Sequence, residues 1–523
     1  MGLDRERTTR FLKTNITLKR LTRIITRTYN LNLSSNLLLM LKFHICCKKK
    51  IAIYSIIIMI VIFITWYHIF SIFSTVKAET IGLTDTYNLP KTSTSKLISI
   101  QSKEVNFTQD SNNSYSPLIL YNANIIDGNA NLRSNITIIT NGDKIIEIID
   151  KDKHNKCDFY KKYPNSALID LSGKYVISGL IDMHAHVAGV MKDSFNQTRS
   201  NDMLHGLLTF GVTTIRNPGG PTEQSVELKN SVARERIIGP QIFTAGTLIN
   251  SDIISIPFVE KKVNSVIEVS KEIDNQAKAG VDFIKLYVGL SPDLVKKAID
   301  KAHSLGLKLI GHLYYTSWTD AANYKIDFLT HGVPVSPYLL SAQKKDIFVK
   351  YGDEPFNHLL WLELVDVNGK EINEMIDALV RNNVFVDPTL SVYESITNDN
   401  PIKGQYTWQK VLALTKKMHD SGVKLLAGTD IPNFDLVPGK SLHHELELLA
   451  AAGIPASNII QMATKNGAEA LGILNSTGTI EEGKQADLLI LSSNPVYNIS
   501  NTQDIEMVIN NGKIVDRNGL RLK

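Results

Sequence analysis

The chain has 523 residues, a formal net charge of +5, 43% hydrophobic and 21% charged residues, and three cysteines. This composition is that of a globular protein rather than a disordered or fibrous one, and the length calls for a large domain plus smaller accessory pieces. With Cys46 and Cys47 adjacent and Cys157 alone, the chain has no disulfide framework to hold its main part together.

Residues 1–50 hold twelve Lys or Arg against two acidic residues, a local net of +10 that leaves the remainder of the chain at −5. Such an arm can bind nucleic acid or anionic lipid. Here it abuts an apolar run, residues 51–76, that contains no Asp, Glu, Lys or Arg. About 20 apolar residues cross a bilayer, so this run is expected to be a transmembrane signal anchor. No nucleic-acid partner is expected. Lys48, Lys49 and Lys50 directly precede the run, which keeps the basic arm in the cytoplasm and sends the later residues outside as the catalytic part of a single-pass membrane protein. A secreted form is the alternative, by cleavage near Ala78 or from a start at Met40. Asn-x-Ser/Thr triplets at Asn106, Asn112, Asn135, Asn196, Asn475 and Asn498 are compatible with an exported surface.

Residues 77–116, rich in Ser, Thr and Asn, read as a linker. From Leu118 the texture changes to β-branched strands separated by turns, with Asn141-Gly142 a hairpin signal. A similar texture returns at the far end of the chain. Residues 117–178 and 475–523 are therefore expected to build a small composite β-sandwich around the middle of the chain.

Residues 179–474 alternate short apolar strands with amphipathic helices, the pattern of repeated βα units. Eight strands are predicted, in VISGLIDMHAH, VTTIR, QIFTAG, DFIKLY, LKLIGH, IDFLTH, VFVDPTL and VKLLAGTD. The fold class is thus α/β, a (β/α)8 TIM barrel with the composite sandwich attached and an N-terminal transmembrane helix ahead of both.

His184 and His186 stand two apart on the first strand, so both side chains face one side. A His-x-His pair alone is a weak signal. Lys285, His312, His331 and Asp430, however, each fall at or near the C-terminal end of another predicted strand. Those ends meet at one face of a barrel, where such enzymes keep their active sites.

These residues, with SGLIDMHAH, FIK, GH, HG, GTD and the closing GTIEEGKQADLLIL, resemble the amidohydrolase superfamily, in its branch of metal-dependent dipeptidases (prolidase-like) and imidazolonepropionase-like proteins. The resemblance covers about residues 118–520. It implies two divalent metal ions, zinc or alternatively manganese, cobalt or iron. His184 and His186 would bind the more buried ion and His312 and His331 the other. Lys285 would bridge them after carboxylation by carbon dioxide, since an ammonium cannot ligate a cation; single-metal relatives do without this ligand. Asp430 would bind the first ion and shuttle the proton of a metal-bound water, whose pKa the metal lowers from 15.7 toward about 7. Tyr287, two residues beyond Lys285, faces the same side and could stabilise an oxyanion.

The implied activity is hydrolysis of a small-molecule C–N amide bond, in a dipeptide, an N-acyl amino acid or a cyclic amide, by the metal-bound hydroxide. A lactonase or organophosphate hydrolase on the same site is the alternative, and a catalytically inactive membrane-tethered scaffold is the reading from another class. Deaminase relatives place a Glu three residues after the fifth-strand His, where this chain has Tyr315. Arg216 and Asn217 receive no role, since relatives often carry Asp at the second position. His205, His303, His419, His443 and His444 read as structural. Pocket loops are expected at 247–262 and 333–370, and the sequence leaves a homo-oligomer open.

Overall fold

The computed structural model describes residues 117–150, 159, 161–189, 195–251, 256–400 and 402–520. All belong to one compact unit that runs from Gln109 to Lys523. The basic arm, the apolar run and the linker expected for residues 1–116 fall outside the described residues, as does Cys157. Among the described residues no helix is long and apolar enough to cross a membrane.

The first strands are β1 (Leu118–Ile126), β2 (Leu132–Asn141), β3 (Lys144–Asp150), β4 (Ala167–Asp170) and β5 (Tyr175–Ser178). Alternating Ile and Leu side chains bury one face of this group. The βα part follows with β6 (Leu180–Asp182), β7 (Val212–Asn217), β8 (Gln241–Thr244), β9 (Leu248–Asn250), β10 (Glu260–Lys262), β11 (Phe283–Leu286), β12 (Lys308–Gly311), β13 (Phe328–Thr330), β14 (Phe385–Asp387) and β15 (Lys424–Leu425). The last three are β16 (Leu488–Leu491), β17 (Ile505–Asn510) and β18 (Lys513–Ile514).

Each of the eight predicted barrel segments contains a strand, namely β6, β7, β8 and β11 through β15. β6, β7 and β8 pair in parallel, and so do β11 through β15. Parallel bridges from Ala245 to Phe283 and from Ala185 to Ile431 join the two groups into a ring. This is an α/β fold with parallel sheets, consistent with a TIM barrel.

Helices return the chain between strands and are set by local signals. Ser265 caps the helix Val266–Ala279 by accepting the Glu268 amide, Glu268 in turn accepts the Asn264 amide, and Gly280 closes the helix at φ 95°. The helix Lys370–Arg381 buries Ile372, Met375, Ile376 and Leu379, the spacing of one helical face.

The terminal strands are drawn from both ends of the chain, in the order β18-β17-β16-β5-β1-β2-β3 with β4 also on β1. They form one continuous hydrogen-bonded sheet. β1 bends at register shifts between Leu120 and Ala123 and between Ala123 and Ile125. The Lys144–Gln485 bridge brings the far edge back to the residues just before β16, and the curled sheet encloses its own core of Leu120, Ile125, Ile138, Val176, Leu488 and Ile490.

Candidate active site

The C-terminal ends of the barrel strands surround a cavity of about 320 Å³. His184, His186, Lys285, Tyr287, His312, His331 and Asp430, all singled out in the sequence, line it together.

Asp430 Oδ1 lies 3.2 Å from His184 Nε2 and 3.3 Å from His186 Nε2. Among the described residues this His-His-Asp trio could hold a metal ion, its ligand atoms lying within 4.8 Å of one another. The remaining imidazole nitrogens are already engaged. His184 Nδ1 is 2.8 Å from Asp387 Oδ2 and 2.6 Å from Thr330 Oγ1, and His186 Nδ1 is 3.0 Å from the Gly219 carbonyl. A partner at Nδ1 fixes the ring and leaves Nε2 as the lone-pair nitrogen, the arrangement that metal-ligating histidines use.

His331 follows the same rule, with Nδ1 held at 2.9 Å by Thr389 Oγ1. Its ring centroid is 4.4 Å from that of His312 and 4.9 Å from that of His184. Burial drives the pKa of both His312 and His331 well below the ordinary histidine value, so both rings are neutral and able to donate a lone pair. At His184 burial alone would lower the pKa, but the carboxylates of Asp430 and Asp387 outweigh it and raise the value. Burial opposes the ionised form of Asp430, yet the surrounding imidazoles hold it well below the usual carboxylate range.

Lys285 is buried at 2% exposure, and its Nζ has no hydrogen-bond partner among the described residues. Burial brings its pKa down to about 7, against the pull of Asp387 and with help from Arg216. Tyr287 stands with its ring centroid 5.0 Å from that of His312, and burial raises its pKa, so the phenol stays protonated.

The strand ends are unusual in backbone as well. His331 and Asp430 have φ of 71° and 69°, left-handed values that favour glycine. Their amides are satisfied, His331 N by the Asp387 carbonyl at 2.9 Å and Asp430 N by the His184 carbonyl at 2.7 Å. Backbone held in such regions concentrates at functional sites.

Sequence reasoning missed the layer beneath these residues. Asp387, at the end of β14, accepts from Arg216 Nη2 at 2.9 and 3.1 Å and from Thr330 Oγ1 at 2.7 Å while holding His184. Arg216, given no role from the sequence, also reaches the Met183 carbonyl through Nε. Asp182 accepts the His184 and Thr429 amides and the Thr429 hydroxyl, which ties β6 to the loop that carries Asp430. Glu445 accepts from the Leu390 and Ser391 amides and so anchors the residues after Thr389. The sequence signal for Asp387 was present, because an acid at a predicted strand end meets the same criterion as Asp430. His358 also lines the cavity, from within the 333–370 connection expected as a pocket loop.

The histidines read as structural do not line the cavity. His303 pairs with Asp327, His419 with Asp420, and His444 with Glu394, while His443 lies between Thr502 and the Phe210 carbonyl.

Residues 175–515 match the family model for the amidohydrolase family. The chain is 25% identical over 428 residues, 73% of its length and 89% of the relative's, to a 5-methylthioadenosine/S-adenosylhomocysteine deaminase of Bacillus cereus (strain AH820). It is 22% identical over 351 residues to an enamidase of Eubacterium barkeri, covering 64% of this chain and 77% of that one. A further match, 27% identical to a deaminase of the first kind from Syntrophomonas wolfei, spans 37% of this chain and 48% of the relative's length. Among solved structures, a Xaa-Pro dipeptidase aligns with a TM-score of 0.61 at 21% identity over 76% of this chain and 100% of that one. A prolidase structure from Bifidobacterium longum aligns at 0.60 with 22% identity over 77% and 98%. The superfamily typically binds a divalent metal, the relatives are hydrolases acting on C–N bonds, and the chain belongs to the amidohydrolase family.

Proposed function

We propose that this protein hydrolyses a carbon–nitrogen amide bond of a small molecule, with two divalent metal ions held among the residues of the cavity. His184, His186 and Asp430 would hold one ion, and His312 and His331 the other. The observation that carries the reading is the state of the donor set: three histidines present Nε2 with Nδ1 engaged, while the amine of Lys285 is buried beside them without a partner. An orphaned buried amine is costly. Carboxylation by carbon dioxide would turn it into the anionic oxygen ligand that two ions can share.

When bound, the ions supply an activated water and polarise the substrate carbonyl. Asp430 would take a proton from the attacking water and return it to the leaving nitrogen. The Tyr287 phenol, protonated and facing the same cavity, would donate to the oxygen that gains charge. Zinc suits the nitrogen and oxygen donors, and manganese, cobalt or iron suit them as well.

Deamination is the second reading, favoured by the names of the sequence relatives. Against it, Tyr315 is not a lining residue, and Asp430 is the sole carboxylate among the described residues that line the cavity. Deamination would then depend on Asp430 alone for its proton transfers.

The test is a panel of dipeptides, N-acyl amino acids, cyclic amides, lactones, organophosphates and adenosine derivatives, given to the metal-loaded protein. Amide cleavage without ammonia release from the adenosine derivatives is the expected result. Ammonia release, or turnover confined to lactones or phosphoesters, would contradict the proposal.

A further inference from the structure

Two phenylalanines line the cavity with much of their surface still exposed, Phe356 at 41% and Phe434 at 50%. They come from separate connections. Phe356 lies in residues 331–369, between β13 and the helix Lys370–Arg381, in a stretch tied down on either side. The Tyr314 hydroxyl donates to Asp353 at 2.6 Å, the Asn357 amide to the Glu354 carbonyl at 3.2 Å, and the buried Trp361 indole to the Ser336 carbonyl at 2.9 Å. The Phe356 ring is thereby set beside Tyr287 and His312, at centroid distances of 6.4 and 5.9 Å.

Phe434 belongs to the turn that leaves Asp430. The Asn433 amide donates to the Asp430 carbonyl at 3.1 Å and the Leu436 amide to the Asn433 carbonyl at 3.1 Å. Between them Phe434 and Asp435 both take left-handed backbone, with φ of 54° and 59°. Two successive non-glycine residues in that region are strained, and here the strained turn presents an apolar ring to the cavity.

The same cavity is lined by Leu248 and Val259, and by Val392 and Ile396, which stand four apart on one face of the helix Leu390–Asn398. Apolar surface left half in water is removed from it when an apolar ligand group covers it, and aromatic rings contribute the largest areas. A cavity of about 150 Å³ accommodates a benzene ring. At about 320 Å³ this one has room for such a group beside the reacting amide.

We propose that Phe356 and Phe434 form an apolar subsite that selects amide substrates carrying a benzyl-sized apolar group next to the scissile bond. This rests on the hydrolytic reading of the same cavity and narrows its dipeptides, N-acyl amino acids and cyclic amides to those with an aromatic or bulky apolar side chain. The two rings determine specificity and take no part in bond cleavage.

The test compares N-acetyl-L-phenylalaninamide with N-acetylglycinamide, which differ only in the benzyl group, on the full-length, metal-loaded protein. The same pair is given to Phe356→Ala, Phe434→Ala, the double variant and the matching Leu variants. The preference is read as the ratio of kcat/KM values where both are cleaved and of Kd values where they are not. The wild type is expected to prefer the phenylalanine compound at least about tenfold. Each Ala variant should narrow that ratio at unchanged metal content, the double variant to within about twofold of equality, while the Leu variants keep most of it. A merely structural role would weaken both compounds alike and leave the ratio as it was. The proposal is overturned by equal handling of the two compounds by the wild type, by binding of neither, or by an unchanged ratio in the double variant. Should the Ala variants fail to fold, the wild-type ratio decides. The expected ratio in Kd without cleavage of any amide would support the subsite and contradict the hydrolytic reading, whereas cleavage of both compounds at equal kcat/KM would do the reverse.

Discussion

Asp387 lies behind the cavity wall rather than in it, yet it would govern the proposed metal site. Its carboxylate is shared by His184, Thr330 and Arg216, all buried, so removing its charge leaves a guanidinium without a counter-ion and the His184 ring, a proposed metal ligand, without its orienting partner. Breaking a buried pair of this kind costs about 3–5 kcal/mol, and loss of such an orienting contact lowers metal affinity roughly 10–100-fold. Asp387→Asn should therefore lose metal at chelator concentrations the wild type withstands and unfold at lower denaturant. Unchanged affinity in a metal titration would show that Asp387 does not orient His184. The convergence of His184, His186, Lys285, His312, His331 and Asp430 on one cavity was legible because each sits at or near the end of an apolar strand, where a polar residue interrupts the pattern. Arg216 and Asp387 were not legible as a pair, because 171 residues separate them in the chain. His358 was legible only as part of the 333–370 pocket loop, because its position depends on how that connecting segment packs, which no short-range periodicity encodes.

At the scale of elements, the eight barrel strands were readable because a strand buried on both faces is a short run of Val, Ile, Leu and Phe bounded by turns. What the pattern could not convey is how helices lock to one another. The helix Lys440–Ala451 does so through His443, fully buried, whose Nε2 is 2.9 Å from the Phe210 carbonyl at the end of the helix Gln197–Thr209, and whose Nδ1 is 2.9 Å from Thr502 Oγ1. Burial lowers its pKa from 6.5 to about 4, so the folded ring stays neutral over a range in which the unfolded chain binds a proton. The contribution to stability is complete above about pH 6.5 and is lost as pH falls toward 4, on the order of 2 kcal/mol by pH 5. In urea denaturation, His443→Gln should show a smaller drop in stability between pH 7.5 and pH 5 than the wild type, by about that amount. Equal drops would mean that His443 is not held neutral by the fold.

For the whole molecule, the two ends of the chain meet in one sheet, β16 pairing antiparallel with β5 from Leu488–Ser178 to Leu491–Tyr175. The sheet also packs on the barrel part. Gly211 sits at φ 80° just before β7, and a Cβ there would come within 2.6 Å of Leu489 Cδ1. The composite origin of the sheet was legible from matching strand texture at both ends. Its closure through a single curled path was not, since register shifts in β1 leave no mark in hydrophobic alternation. Ile490, fully buried in the sheet core, is expected to cost about 2–5 kcal/mol on truncation to Ala, as large-to-small core changes do. Gly211→Ala should destabilise through both the backbone and the contact with Leu489. Thermal unfolding of the two variants tests this, and wild-type stability in Ile490→Ala would mean that the sheet does not fold as one unit with the barrel.

If the buried Lys285 amine completes a binuclear site, as proposed, the metal content measured by plasma mass spectrometry will depend on it. Full-length protein expressed with bicarbonate is compared with Lys285→Ala, both assayed on the same amide panel. About two metal ions per chain are expected in the wild type, with metal and amide hydrolysis falling together in the variant. About one ion in both proteins would contradict the bridging role of Lys285, and no metal in the wild type would contradict metal-dependent hydrolysis altogether.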